Sequence, residues 1–290
     1  MRLGIGSAQF GMDYGIVNHS GQTSLSEVKK IIETAKYEGI RLIDTAANYG
    51  KSEEILGSQD ISLFDIVSKI PTFPRDFEET SFKQWSLEQV SKSLANLNID
   101  CLYGLLFHDT QLLLSSHGVK AFDALNELKR AGLTNKIGIS VYNPDELEYI
   151  LDRFHFDIVQ LPLNIVDRRF VDLNWLDRLK NLNIEIHTRS VFLQGLLLQD
   201  FEEIPLKFMK WNDLWKNWTS WVIQNSYSHI HACLSYPLSF DEVDKVIVGV
   251  ENVRQMNEII KYVKSKRISV IPDFSIEDES LLNPSLWNKL

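Results

Sequence analysis

Eight short apolar runs, separated by segments of helical period, recur along the whole of this 290-residue chain. They fall at 2–6, 40–44, 64–69, 101–107, 136–140, 157–161, 183–188 and 245–248. Short continuous apolar runs suit strands buried on both faces, as in a parallel sheet. The segments between them read as helices. Ser24 and Glu27 form a capping-box pattern, Val28, Ile31, Ile32 and Ala35 a stripe, and Gly39 a C-terminal stop. Leu87, Val90, Leu94 and Leu97 repeat the stripe, as do Phe122, Leu125 and Leu128. Leu147, Ile150, Leu151 and Phe154 follow Pro144, a favourable first helical residue. A weaker helix is expected over 173–182, and a last one over 252–264. Trp211, Trp215, Trp218 and Trp221 share one helical face, which predicts core packing of an outer helix. The tail, 266–290, lacks a period and is expected to wrap the mouth or side of the fold.

With no linker rich in Gly, Ser or Pro, strict alternation favours a (β/α)8 TIM barrel forming a single domain over 1–290. The alternative, a doubly wound open sheet binding a dinucleotide, requires G-x-G-x-x-G after the first strand. Gly4-Ile5-Gly6-Ser7-Ala8-Gln9 lacks the third glycine. A net charge of −9 argues against nucleic acid or an anionic membrane as partner. No run approaches the roughly 18 apolar residues of a membrane span. Cys101 and Cys233 have no disulfide framework, which fits a reducing, cytoplasmic setting. His229-x-His231-x-Cys233 falls in a helical stretch, where residues two apart diverge, so no metal is expected. Oligomeric state leaves no trace in the sequence.

Four polar side chains stand at or just past the ends of three adjacent strands: Asp44, Tyr49, Lys69 and His108. In a parallel barrel those ends converge on one face. A free tyrosine, with a pKa near 10, is a poor acid at neutral pH. An ammonium beside it favours the phenolate, and an aspartate keeps that ammonium charged. Asp44–Lys69–Tyr49 therefore reads as a proton relay, with His108 orienting a carbonyl oxygen. The set polarises and protonates a carbonyl but contains no nucleophile. The electron pair must come from a bound nicotinamide, as hydride.

Ile43-Asp44-Thr45-Ala46-Ala47-Asn48-Tyr49-Gly50, followed by Ser52-Glu53-Glu54-Ile55-Leu56-Gly57, resembles the strand-two signature of the aldo-keto reductases. Lys69 and His108 fall where that family places its lysine and histidine. The resemblance spans nearly the whole chain and implies NADPH as cofactor, with NADH also possible. It implies reduction of a small-molecule aldehyde or ketone, with Tyr49 as proton donor. It further implies that Asp44, Ser140, Asn143 and Gln160 contact the nicotinamide side, with Asn143 standing in for an asparagine replaced by Val141. Arg189, Ser190, Phe192 and Gly195 fall in the loop expected to cradle ribose and pyrophosphate. Gly249, Asn252, Gln255 and Glu258 fall at the adenosine end, where Glu251 would repel a 2′-phosphate and Arg254 is within reach of one. Arg189 stands where the family has an aromatic residue over the nicotinamide, and its cation is expected to favour the reduced ring. Gln9, Phe10 and Tyr14 are candidates for the substrate wall. The opening Gln9-Phe10-Gly11-Met12-Asp13-Tyr14-Gly15 resembles a bacterial branch associated with surface polysaccharide and sugars. Two rivals stand beside this reading: a non-catalytic nucleotide-binding regulatory or auxiliary protein, and a barrel lyase or isomerase using Lys69 as a Schiff-base amine.

Overall fold

The computed structural model describes residues 1–73 and 82–290. The strands are β1 (Leu3–Gly6), β2 (Leu42–Asp44), β3 (Asp65–Ile70), β4 (Leu102–Phe107), β5 (Thr134–Ser140), β6 (Ile158–Pro162), β7 (Glu185–Arg189) and β8 (Lys245–Gly249). All pair in parallel and in sequence order, and β8 returns to β1, so the barrel closes. Each strand lies within two residues of its expected ends. The helices are α1 (Ala8–Gly11), α2 (Leu25–Tyr37), α3 (Ser52–Gly57), α4 (Phe82–Leu97), α5 (Gly118–Arg130) and α6 (Pro144–Leu151). They continue with α7 (Arg169–Asp172), α8 (Trp175–Asn181), α9 (Asn212–Gln224), α10 (His229–Leu238), α11 (Val253–Lys264) and α12 (Glu279–Leu282). Among the described residues no helix is long and apolar enough to cross a membrane.

The capping box at α2 forms only in half. Ser24 Oγ accepts from the Glu27 amide at 3.4 Å, but the Glu27 carboxylate does not return to Ser24. It pairs with Lys30 at 2.7 Å and accepts from the Val253 amide, at the start of α11, at 2.9 Å. Charged partners outbid a local amide. The tryptophans pack as expected: Trp215 and Trp218 are buried on α9, and Trp211 is buried in the 3-10 turn just before it. Truncating either buried indole would cost about 3–5 kcal/mol. The tail covers the side of this helix and is bonded to the loops after β5 and β6, where Ile276 N donates to Val166 O at 3.0 Å and Asn143 to Glu279 at 3.1 Å. Phe274 meets Trp218 and Trp221 edge-on at 5.5 and 5.7 Å, and Trp287 packs on Phe208 at 4.8 Å.

Alternation along the strands sorts the barrel interior into layers. The middle layer is apolar: Leu42, Val67, Leu106, Ile158 and Ile247 form one buried cluster. Below it, at the N-terminal end of the barrel, lies a polar network. Tyr103 Oη donates to Glu185 Oε2 at 2.8 Å, Lys136 pairs with the same carboxylate, and His187 Nε2 lies 2.8 Å from Glu185 Oε1. Burial alone would raise the Glu185 carboxyl. Hydrogen bonds and charge from His187, with Lys136 and Tyr103, outweigh it and hold the group down at about 2.

Candidate active site

Two residues beyond four of the five apolar floor positions the same strand face becomes polar, and beyond the fifth it carries glycine. Leu42 is followed by Asp44, Val67 by Lys69, Leu106 by His108, Ile158 by Gln160, and Ile247 by Gly249. Register brings these ends level, with Gly6 opposite both Asp44 and Gly249, and Ser140 opposite Gln160. They form the base of a cavity of about 420 Å³ at the C-terminal mouth. Asp44, Tyr49, Lys69 and His108 all line it.

Much of the sequence signature around Asp44 is scaffolding. Ser52 Oγ donates to Ser7 and lies 3.2 Å from Thr45 Oγ1, all three hydroxyls being buried. Ser68 Oγ donates to Glu53 Oε1 at 2.7 Å, tying β3 to α3. These bonds fix the loop that carries Tyr49. The first loop is locked to it as well, since the Lys51 amide donates to Gly11 O at 3.2 Å. A Cβ on Gly11 would lie 1.9 Å from Tyr49 O and 2.3 Å from Ser52 N, so only glycine allows this approach. Gly50 opposite is left-handed, with φ of +56°.

Lys69 Nζ donates to Asp44 Oδ2 at 2.7 Å and to Thr45 O at 2.9 Å, with its side chain only 1% exposed. Gln160 Nε2 donates to Asp44 Oδ1 at 2.7 Å, and Ser140 Oγ to Gln160 Oε1 at 3.2 Å. Burial pulls the Lys69 ammonium down while Asp44 pushes it up. Tyr49 stands against this pair, its ring centroid 5.1 Å from Lys69 Nζ and 5.7 Å from the His108 ring. Burial pushes its phenol up, Asp44 pushes it further, and Arg189 opposes them. The lowering expected from Lys69 therefore does not prevail, because burial of the phenol, and after it the Asp44 charge, outweigh it. His108 is pulled down to about 4, by burial first and then by Lys69, so its imidazole is neutral at pH 7. Burial likewise pushes Tyr14 up to about 12.

Arg189 faces this group from β7. It donates to Val141 O at 2.9 Å, to Ser190 Oγ at 3.2 Å and to Ser140 Oγ at 3.4 Å, and its guanidinium lies 4.0 Å from the Tyr142 ring centroid. Ser140, Gln160, Arg189, Ser190, Phe192, Gly195, Gly249, Gln255 and Glu258 line the cavity, as do Gln9 and Tyr14. Three expected residues do not. Phe10 is wholly buried in the core, because its side of the short α1 faces inward. Asn143 caps α6, accepting from the Asp145 amide at 3.0 Å and donating to Glu279. Asn252 caps α11, accepting from the Gln255 amide at 3.0 Å. Short polar side chains before a helix satisfy free amides first. Tyr142 and Glu251 line the cavity without having been singled out as ligands. Tyr142 stands two residues past Ser140, so strand alternation would have found it.

The profile of the Aldo/keto reductase family matches residues 2–270. An uncharacterized oxidoreductase of Bacillus subtilis, YqkF, is 24% identical over 266 residues, covering 85% of each chain. The L-galactose dehydrogenase of Arabidopsis thaliana is 25% identical, over 97% of this chain and 90% of its own. Among solved structures, the holo form of the aldo-keto reductase AKR11C1 from Bacillus halodurans superposes with a TM-score of 0.72. It is 20% identical and covers 92% of this chain and 88% of that one.

Proposed function

The chain belongs to the aldo/keto reductase family, and on that footing we propose that it reduces an aldehyde or ketone to an alcohol with a nicotinamide dinucleotide. The whole chain, 1–290, is taken as one barrel domain acting in the cytoplasm. The observation that carries the reading is the meeting of Tyr49, His108 and the Asp44–Lys69 pair at one cavity, across from Ser140, Gln160 and Arg189.

The residues present fit the cofactor. The Ser140–Gln160 pair at the base of the cavity offers amide and hydroxyl groups suited to a carboxamide. When bound, the cofactor supplies the hydride that the side chains cannot. The protein's own work is then with the proton. Tyr49 retains its proton until negative charge develops on the carbonyl oxygen, and then donates it there. Neutral His108 hydrogen-bonds the same oxygen and fixes its direction. Fixed charges and dipoles of this kind stabilise the developing oxyanion in a site shielded from water. The substrate class we favour is a hydroxylated, sugar-like carbonyl compound. Gln9, Tyr14, Gln194 and Gln199 line the cavity with amides and a phenol that hydroxyl groups can meet, and the name of the Arabidopsis relative points the same way.

Tyr49→Phe should lower the rate of aldehyde reduction by about 10²–10⁴-fold, followed at the reduced-nicotinamide absorbance band across sugar and aromatic aldehydes. Cofactor binding should survive. Activity undiminished in the variant would remove Tyr49 as the acid. Cofactor binding by the wild type with no turnover on any aldehyde would point instead to an auxiliary nucleotide-binding role.

A further inference from the structure

The cavity is electrically polarised along its length. At its deep end stand Lys69, paired with Asp44, and Arg189, which has no carboxylate within 4.0 Å among the described residues. At the other end, past β8, the wall is formed by Glu251, Gln255 and Glu258. Glu251 is held in place from both sides. Its amide donates to Gln255 Oε1 at 2.9 Å, and Gln255 Nε2 donates to its carboxylate at 3.1 Å. Two of the amides at the start of α11 are already taken, Val253 by Glu27 Oε2 and Gln255 by Asn252 Oδ1. A free helix N-terminus attracts phosphate, but this one is capped by a carboxylate and an amide. Arg254 is exposed and does not line the cavity.

From this arrangement we infer that the protein selects NADH over NADPH, with Glu251 as the main discriminating residue. The inference rests on the nicotinamide-dependent reading above. Hydride delivery beside Tyr49 and His108 puts the nicotinamide at the deep end, so the adenosine ribose runs out towards Glu251 and Glu258. Carboxylates there accept hydrogen bonds from ribose 2′- and 3′-hydroxyls. A 2′-phosphate would bring roughly −1.5 to −2 charges against Glu251 and Glu258, with no cation among the described residues lining that end. Like charges at contact distance under near-solvent screening cost on the order of tenfold in affinity. The NADPH preference implied by family resemblance is thereby reversed.

The test is equilibrium titration of the intact protein with NADH and NADPH, read by quenching of tryptophan fluorescence. The wild type should bind NADH about tenfold tighter or more, and added salt should narrow the gap by screening. Glu251→Gln should narrow it, and Glu251→Arg should reverse it. Equal affinities in the wild type, or a ratio unmoved by Glu251→Arg, would overturn the inference while leaving nicotinamide dependence intact. Failure of the folded wild type to bind either nucleotide would overturn both.

Discussion

Replacing Asp44 by Asn removes one charge from a buried pair and leaves nearly every atom in place. Gln160 can turn its amide to suit the new side chain, with Ser140 Oγ free to change from donor to acceptor. Hydrogen bonding is therefore recoverable, and charge is not. The Lys69 ammonium, 1% exposed, loses its counter-ion. If it stays protonated, the broken buried pair costs about 3–5 kcal/mol. If it gives up its proton instead, the lysine moves from its ordinary 10.5 to neutrality at pH 7. That is about 3.5 pH units, or about 5 kcal/mol. The two routes cost about the same, so Asp44→Asn should destabilise the protein by about 3–5 kcal/mol at pH 7. They differ in their pH dependence. A lysine neutral in the fold and charged when unfolded gives the unfolded state one extra proton, so stability rises by about 1.4 kcal/mol per pH unit up to 10.5. The wild type has the same sign, since burial lowers Lys69 there too, but Asp44 keeps the window nearer 10.5. Urea titrations at pH 7 and pH 9 should show Asp44→Asn gaining up to about 2.7 kcal/mol. The double variant Asp44→Asn/Lys69→Met, with no group to titrate, should lack this gain. Equal pH dependence in single and double variants would refute the claim that Asp44 holds the charge on Lys69.

Two further outcomes follow from the geometry. Gly11→Ala should push the Tyr49 loop aside, because its Cβ would meet backbone at 1.9 Å. We expect a fall in kcat of at least tenfold with cofactor affinity largely kept, and an unchanged kcat would show that the two loops are not coupled. Arg189→Tyr should weaken the preference for reduced over oxidised cofactor by at least about fivefold, since one fixed cation about 4 Å from a charged ring is worth about 1 kcal/mol in bulk water and about 4 kcal/mol at an effective dielectric constant near 20. Titrating both cofactor forms against both proteins measures it, and an unchanged ratio removes Arg189 from this role.

The strands were legible because each is short, apolar and bounded, and the barrel follows from their number and strict alternation. The polar ends were legible for the same reason. A period of two predicts that residues beyond Leu42, Val67, Leu106 and Ile158 point the same way as those residues do. Side chains next to a helix start were harder to place, since Asn143 and Asn252 cap helices and stand outside the cavity lining, a local demand the alignment of motifs conceals. The burial of Phe10 was not legible because a helix of four residues shows no period. The upward shift at Tyr49 lay beyond the sequence, since it depends first on how deeply the phenol is buried and then on its distance from Asp44. So did the Tyr103–Lys136–Glu185–His187 network, assembled from residues up to 84 positions apart.

The apolar floor of Leu42, Val67, Leu106, Ile158 and Ile247 has a bearing on traffic as well as on packing. It separates the ionisable groups beneath it from those above, so no chain of hydrogen bonds through these residues joins the two poles of the barrel. The proton that Tyr49 surrenders in each turnover must then be restored from the mouth, by water entering along the route that substrate and product share. Recharging the acid and clearing the site become one event. Any group that occupies the mouth after the reaction also delays the next proton.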